Sequence, residues 1–135
     1  DHCLIEENCC NIISEKNKFC YRAQCFATAK LLADKLNLQK ERYTICFQSR
    51  LGKDPWIKPY TDKAIQSLAE KDIKKILVFC PAFVADCLET VYEISVENSE
   101  LFKSLGGEKL QLVESLNSND LWVEAVKEMI IKCVD

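Results

Sequence analysis

Lys75-Ile76-Leu77-Val78-Phe79-Cys80 (KILVFC), with Pro81 directly after it, is a short unbroken apolar run. It does not alternate, so both faces are expected to be covered, as in a strand inside a parallel sheet. A helical pattern follows from about Asp86 to Leu105, and Gly106-Gly107 closes it, glycine being the usual residue just past a helix end. Lys109–Glu114 then reads as another strand, and Ser118 or Asn119 as the cap of a last helix to about Cys133. Upstream, Thr61 is placed to cap a helix to about Lys71, and Arg42–Gln48 (RYTICFQ) is rich in strand formers. Phe19, Ala23, Phe26, Ala27, Leu31, Leu32 and Leu36 recur at helical spacing and predict an amphipathic helix over 18–36. Helices and strands alternate with short links, which predicts an α/β fold: a parallel sheet with helices on both faces. In such sheets ligands sit beyond the carboxyl ends of the strands.

Composition narrows the class of function. The 135 residues are 48% apolar and 29% charged, with a formal net charge of −3, an ordinary balance for a globular domain. A mildly acidic chain lacks the dense Lys/Arg patch of a nucleic-acid binder. No apolar run approaches the ~20 residues that span a bilayer, and no signal peptide is visible, so a cytoplasmic location is expected. Nine cysteines are the outlier, and Cys3, Cys9, Cys10, Cys20 and Cys25 fall in the first 25 residues. The later chain carries its own helix and strand signals, so a disulfide scaffold is a poor fit. A local thiol cluster in a reducing compartment points to a metal or iron–sulfur site. Residues 1–17 read as a cysteine-rich insert or loop, and 18–135 as the α/β domain.

Two stretches beyond strand ends carry chemistry. In the helix from Asp86, Glu89, Glu93, Glu97 and the nearby Glu100 lie on one side. The plain reading is a solvated acidic face. The functional one is a carboxylate track for a divalent cation or for protons, in which clustered acids raise each other's pKa. Asp86 and Cys87 stand at the helix start, where the dipole favours a carboxylate and a thiolate. Cys87 reads equally as a soft metal contact or a small buried residue. The loop Gln48–Trp56 (QSRLGKDPW) offers a hydroxyl, cations, a glycine and a large aromatic. A planar apolar ligand would stack on Trp56, with Arg50 and Lys53 on its carboxylates; the plain reading is a hydrophobic cap on the sheet edge.

Together these residues resemble the C-terminal half of the ferrochelatases. The family form FQS-R/K-x-G-x-x-P-W-x-x-P-x-T-D stands here as Phe47 to Asp62. Its second signature, P-x-x-F-x-x-D-x-x-E-T-x-x-E-x-x-x-E, stands as Pro81, Phe83, Asp86, Glu89, Thr90, Glu93 and Glu97, and Ser115-Leu116-Asn117 matches its S-L-N. The likeness covers roughly residues 18–134 in order. It implies a chelatase-like fold of two similar halves, insertion of ferrous iron into protoporphyrin IX or coproporphyrin III, and no nucleotide cofactor. It implies that Glu89 faces the porphyrin centre, with Glu93 and Glu97 extending an iron path on a helix that bulges toward π geometry. It also implies that Asp86 supports the site, and that Ser49, Trp56 and Phe83 line the macrocycle pocket with Arg50.

The chain departs from the family pattern in two places. Cys87 stands where the family often has histidine, which removes an imidazole from any proton relay. The family's S-x-H-x-x-P segment belongs to the N-terminal half, and the single histidine, His2, does not match it. A complete enzyme of this kind is expected to be roughly twice this length, with the missing half as partner; a homodimer or a peripheral membrane contact is compatible with it. Some family members carry a 2Fe-2S cluster on a cysteine segment at this place, which implies Cys3, Cys9, Cys10 and Cys20 as ligands, with Cys25 able to replace one; zinc or free thiols are the alternatives. The competing functions are a cobalt or nickel chelatase on the same fold, a non-catalytic tetrapyrrole- or iron-binding module, and a redox carrier, the last of which leaves the carboxylate track without a use.

Overall fold

A computed structural model describes residues 8–50 and 52–134. The chain forms two compact units, one running to Leu68 and the other starting at Ala69.

In the first unit, helix α1 spans Tyr21–Lys35, a 3₁₀ turn follows at Lys40–Arg42, and α2 (Thr61–Glu70) begins in this unit and ends just past its boundary. A helix forms within the expected 18–36 stretch, but it is not the amphipathic helix the apolar spacing predicts. Ala23 and Ala33 are buried, whereas Phe19, Leu31 and Leu36 are exposed. The inward side is organised by aromatic contact: the Phe26 ring stacks on Phe47 at 6.5 Å, and Tyr21 tilts against the same ring. Arg22 lies over Phe26 at 4.3 Å, a cation–π contact that covers the ring edge.

The strand expected over Arg42–Gln48 does not form. Among the described residues this stretch makes one isolated parallel bridge, Phe47 to Tyr60. The Phe47 N–H donates to Pro59 O at 2.9 Å, and the Thr61 N–H donates to Phe47 O at 3.0 Å. β-forming side chains raise strand propensity, but a strand needs a partner edge along its length, and these residues find one only at Phe47. Thr61 is buried as the first residue of α2, and its hydroxyl donates to Cys46 Sγ at 3.5 Å instead of capping.

In the second unit, strands β1 (Lys75–Val78) and β2 (Lys109–Leu112) pair in parallel, Lys75 opposite Lys109 and Val78 opposite Leu112. Between them run a π-helix, Glu89–Asn98, and a short α-helix, α3 (Ser99–Ser104). This is a β-helix-β crossover, the unit from which parallel sheets are built. The fold is α/β, as the alternation predicts, with both strands shorter than expected. The double-sided burial predicted for KILVFC is not met within this unit: Leu77 is 66% exposed and Phe79 is also exposed, because the π-helix and α3 pack on the β2 side.

The helix pair ends as its glycines predict. Gly106 takes a φ of +91°, Gly107 N–H donates to Phe102 O, and Gly106 N–H donates to Lys103 O, which is the Schellman stop. A Cβ on Gly107 would stand 2.5 Å from the Phe102 ring, and that ring is fully buried. Gly107→Ala is therefore expected to lower stability by about 1–3 kcal/mol through overpacking, read as a shift in the urea midpoint at unchanged slope.

Helix α4 (Asp120–Val134) completes the unit. Asn119 is its cap: its side-chain oxygen accepts from the N–H groups of Leu121 at 3.0 Å and Trp122 at 3.3 Å.

Candidate functional site

The first group of residues sits in the loop that follows Gln48. Ser49 holds a φ of +62°, a left-handed conformation that turns the chain out of its extended course. Trp56 returns to the loop's start, its indole N–H donating to Gln48 O at 2.9 Å. That bond fixes the ring while leaving it 39% exposed. The Arg50 guanidinium lies over the Tyr60 ring at 4.8 Å. The structure thus brings Ser49, Arg50 and Trp56 into one loop, with Arg50 parked on an aromatic face from which it can swing to an anion.

The second group follows the carboxyl end of β1. Asp86 N–H donates to the side-chain oxygen of Asn117 at 2.9 Å, and Asn117 donates back to the Asp86 carboxylate at 2.8 Å. The Ser115 N–H and the buried Thr90 hydroxyl also donate to that carboxylate, at 3.3 and 3.5 Å. Asn117 itself has a positive φ of +48°, a conformation asparagine tolerates well, and its N–H donates to Val84 O. Asp86 therefore clasps the loop after β1 to the loop after β2, at the sheet edge where ligands bind in such folds. Asn117 is the partner that sequence reasoning did not single out; the S-L-N motif was its only signal.

These bonds, Asn117 first and then Ser115, hold the Asp86 carboxyl below its ordinary value of 3.8. A folded-state pKa that is depressed contributes stability above the unfolded pKa and loses it as pH falls through the folded one. Unfolding free energy should accordingly rise with pH across the acid limb below about pH 4, and Asp86→Asn should flatten that rise. Urea titrations of both proteins over the acid range test it, and equal slopes would contradict it.

The π-helix begins at Glu89. Its i→i+5 bonding puts more than four residues in each turn, so residues four apart fall in one row. Burial shows the row directly, for Thr90, Ile94 and Asn98 are all buried. Glu89, Glu93 and Glu97 each precede one of these, so they form a parallel row beside the core. Glu89 and Glu93 are half-buried and Glu97 is exposed, so the row runs from the protein toward solvent. The π geometry expected as a local bulge extends over ten residues.

Electrostatics at Glu89 run opposite to expectation. Clustered acids were expected to raise its pKa, but its own backbone N–H, and then the Cys87 side chain, hold the carboxyl below its usual range. Hydrogen bonds to the charged form outweigh the opposing cost of desolvation. Cys87, half-buried, is thereby a hydrogen-bond partner of Glu89. Phe83 is half-buried in the same connection.

The cysteine-rich entry is described from Asn8 onward. Cys3 lies outside the described residues. Cys9 Sγ and Cys10 Sγ stand 3.8 Å apart, and Arg22 Nη1 donates to Cys10 Sγ at 2.9 Å. Among the described residues no three Cys, His, Asp or Glu side chains are arranged to hold a metal ion. A 2Fe-2S cluster needs four thiolates, and the described residues do not show that set; Cys10 faces a guanidinium. Burial pushes the Cys10 thiol up, against the opposing pull of Arg22. Nor is any helix among the described residues long and apolar enough to cross a membrane.

A parallel strand pair whose carboxyl-end loops are clasped together beside an acid-rowed π-helix defines an α/β protein. Comparison with known proteins is specific: residues 9–133 match the family profile described as Ferrochelatase. A protein named ferrochelatase from Coxiella burnetii (strain Dugway 5J108-111) is 50% identical over 126 residues, 93% of this chain and 36% of the relative. Another, from Legionella pneumophila (strain Lens), is 50% identical over 121 residues, 90% of this chain and 37% of the relative. The chain belongs to the ferrochelatase family. It spans about a third of the length of these curated relatives, less than the half expected from its sequence.

Proposed function

We propose that this chain supplies the acid-lined wall of a ferrochelatase, an enzyme that inserts ferrous iron into a porphyrin to form haem. The observation that carries the reading is the row Glu89, Glu93, Glu97 on a π-helix at the carboxyl end of a parallel strand. Carboxylate oxygens suit a divalent cation of borderline hardness, and a row that runs from solvent inward gives that cation successive charged stations. Metallation also releases two pyrrole protons per iron inserted. Glu89 is held ionised, so it meets the incoming dication as an anion and gives a proton leaving the ring a nearby acceptor. Asp86 acts as a positioning residue through its clasp to Asn117. In the first unit Trp56 offers its exposed ring for a macrocycle, with Ser49 beside it and Arg50 for a propionate, the group common to protoporphyrin IX and coproporphyrin III; in the second unit Phe83 is the aromatic contact.

The opposite wall, with the histidine of the S-x-H-x-x-P segment, comes from the part of the polypeptide that the relatives have beyond this chain. We assign the reaction to the cytoplasm, a compartment that keeps nine cysteines reduced.

The test is anaerobic: a full-length polypeptide carrying this chain is given porphyrin and ferrous iron, and the metalloporphyrin spectrum is followed. Catalysed metallation is expected. Tight porphyrin binding without metallation would overturn the reading in favour of a tetrapyrrole-binding protein, and preference for cobalt or nickel in competition would overturn it in favour of another chelatase.

A further inference from the structure

Cys9 and Cys10 occupy the centre of a turn built to hold them. Asn11 N–H donates to Asn8 O at 3.0 Å, closing a four-residue turn with the two cysteines in its middle. The turn is fixed from below by Asn17, which is buried. Its side-chain amide donates to Cys9 O at 2.6 Å and Ile12 O at 2.9 Å, and its oxygen accepts from Ser14 N–H at 2.6 Å. Cys10 is only 4% exposed, its sulfur takes the Arg22 guanidinium at 2.9 Å, and the Cys9 sulfur, half-buried, stands 3.8 Å away. These sulfurs face each other and a cation, and no third metal-binding side chain joins them among the described residues.

We propose that Cys9 and Cys10 are a reversible dithiol–disulfide site, oxidised by a low-molecular-weight disulfide such as that of glutathione. The more accessible Cys9, as thiolate, attacks one sulfur of the small disulfide; its S–S bond breaks, a Cys9–S–S–R bond forms, and one RS⁻ leaves. Cys10 then gives up its proton to that RS⁻ and attacks the Cys9 sulfur, forming Cys9–S–S–Cys10 and releasing the second RS⁻, which takes up the proton first lost by Cys9. Two electrons pass from the cysteine pair to the small disulfide, which becomes two thiols. Closing the bond brings the sulfurs from 3.8 Å to about 2.0 Å. Adjacent Cα atoms stand about 3.8 Å apart, shorter than the roughly 4.4–6.8 Å usual for disulfides. The bond is therefore strained and easily reduced, which marks a switch and not a staple.

The test uses the full-length polypeptide, equilibrated anaerobically in glutathione buffers of rising oxidised fraction, acid-quenched and alkylated. Trypsin with a glutamate-specific protease releases Asn8–Glu15, which contains Cys9 and Cys10 and no other cysteine. That peptide is expected to pass from doubly alkylated to an unalkylated form lacking two hydrogens, and to return when reduced glutathione is in excess. In Cys10→Ser the expected product is a lasting glutathione adduct on Cys9. Four outcomes would overturn the proposal: a peptide that stays doubly alkylated across the series, a bond from Cys9 or Cys10 to Cys3, Cys20 or Cys25, a lasting glutathione adduct in the wild type, or a protein purified under argon whose iron and sulfide are lost with either Cys9→Ser or Cys10→Ser.

Discussion

Replacing Glu89 by Gln in a full-length polypeptide carrying this chain is expected to lower turnover of ferrous insertion by about 100- to 10,000-fold, the range in which a positioned acid or base acts, while porphyrin affinity stays within a few-fold. The substitution keeps the side chain's size and removes its charge. Glu89 is half-buried at the start of the π-helix, and the backbone and Cys87 bonds that lower its pKa keep it an anion at neutral pH. A neutral amide neither draws in a dication nor accepts a pyrrole proton. On the proposed reading the macrocycle is held by Trp56 and its neighbours, so binding is expected to survive. A loss that appeared equally in porphyrin binding would give Glu89 a structural role; no loss would return the row to solvent.

Phe102→Ala is expected to cost about 3–5 kcal/mol, the largest stability effect in the second unit. The ring is fully buried and lies so close under Gly107 that a Cβ there would meet it at 2.5 Å. Glycine has no side chain to swing into the space a lost ring leaves, so the cavity persists, and it is the persistent cavity that puts such substitutions at the high end. Phe102→Leu should recover most of the loss. The measurement is the urea midpoint of each variant, and a shift of less than about 1 kcal/mol for Phe102→Ala would show that α3 is held by other contacts.

Much of this architecture was legible in the chain. The apolar run at 75–80, the Gly106-Gly107 stop and the Asn119 cap each report a local physical requirement, and each element appears near its expected place. The misreadings share a cause. The Arg42–Gln48 stretch has strand-forming side chains, but whether it pairs depends on an edge elsewhere, which propensity does not encode. The exposure of Leu77, Phe79, Leu31 and Leu36 has the same origin, since an apolar pattern states that a face is to be covered and not by what. At the site, the four-residue spacing of the glutamates was visible, whereas the depressed pKa of Glu89 was not, because it comes from a backbone N–H and a thiol whose placement needs coordinates. Asn117 was hidden for the same reason: its partner, Asp86, lies 31 residues away in sequence. The cysteine cluster showed the density of thiols but not their arrangement, and the arrangement pairs two of them against Arg22.

The most direct test of the account is the ferrous-iron dependence of insertion by the full-length protein and its Glu93→Gln and Glu97→Gln variants. If the row is the path of the metal, KM for ferrous iron rises in both variants while kcat at saturating iron and the KM for porphyrin stay close to wild type. Unchanged iron KM in both variants would contradict the account, since it would mean that iron reaches the porphyrin without meeting this helix.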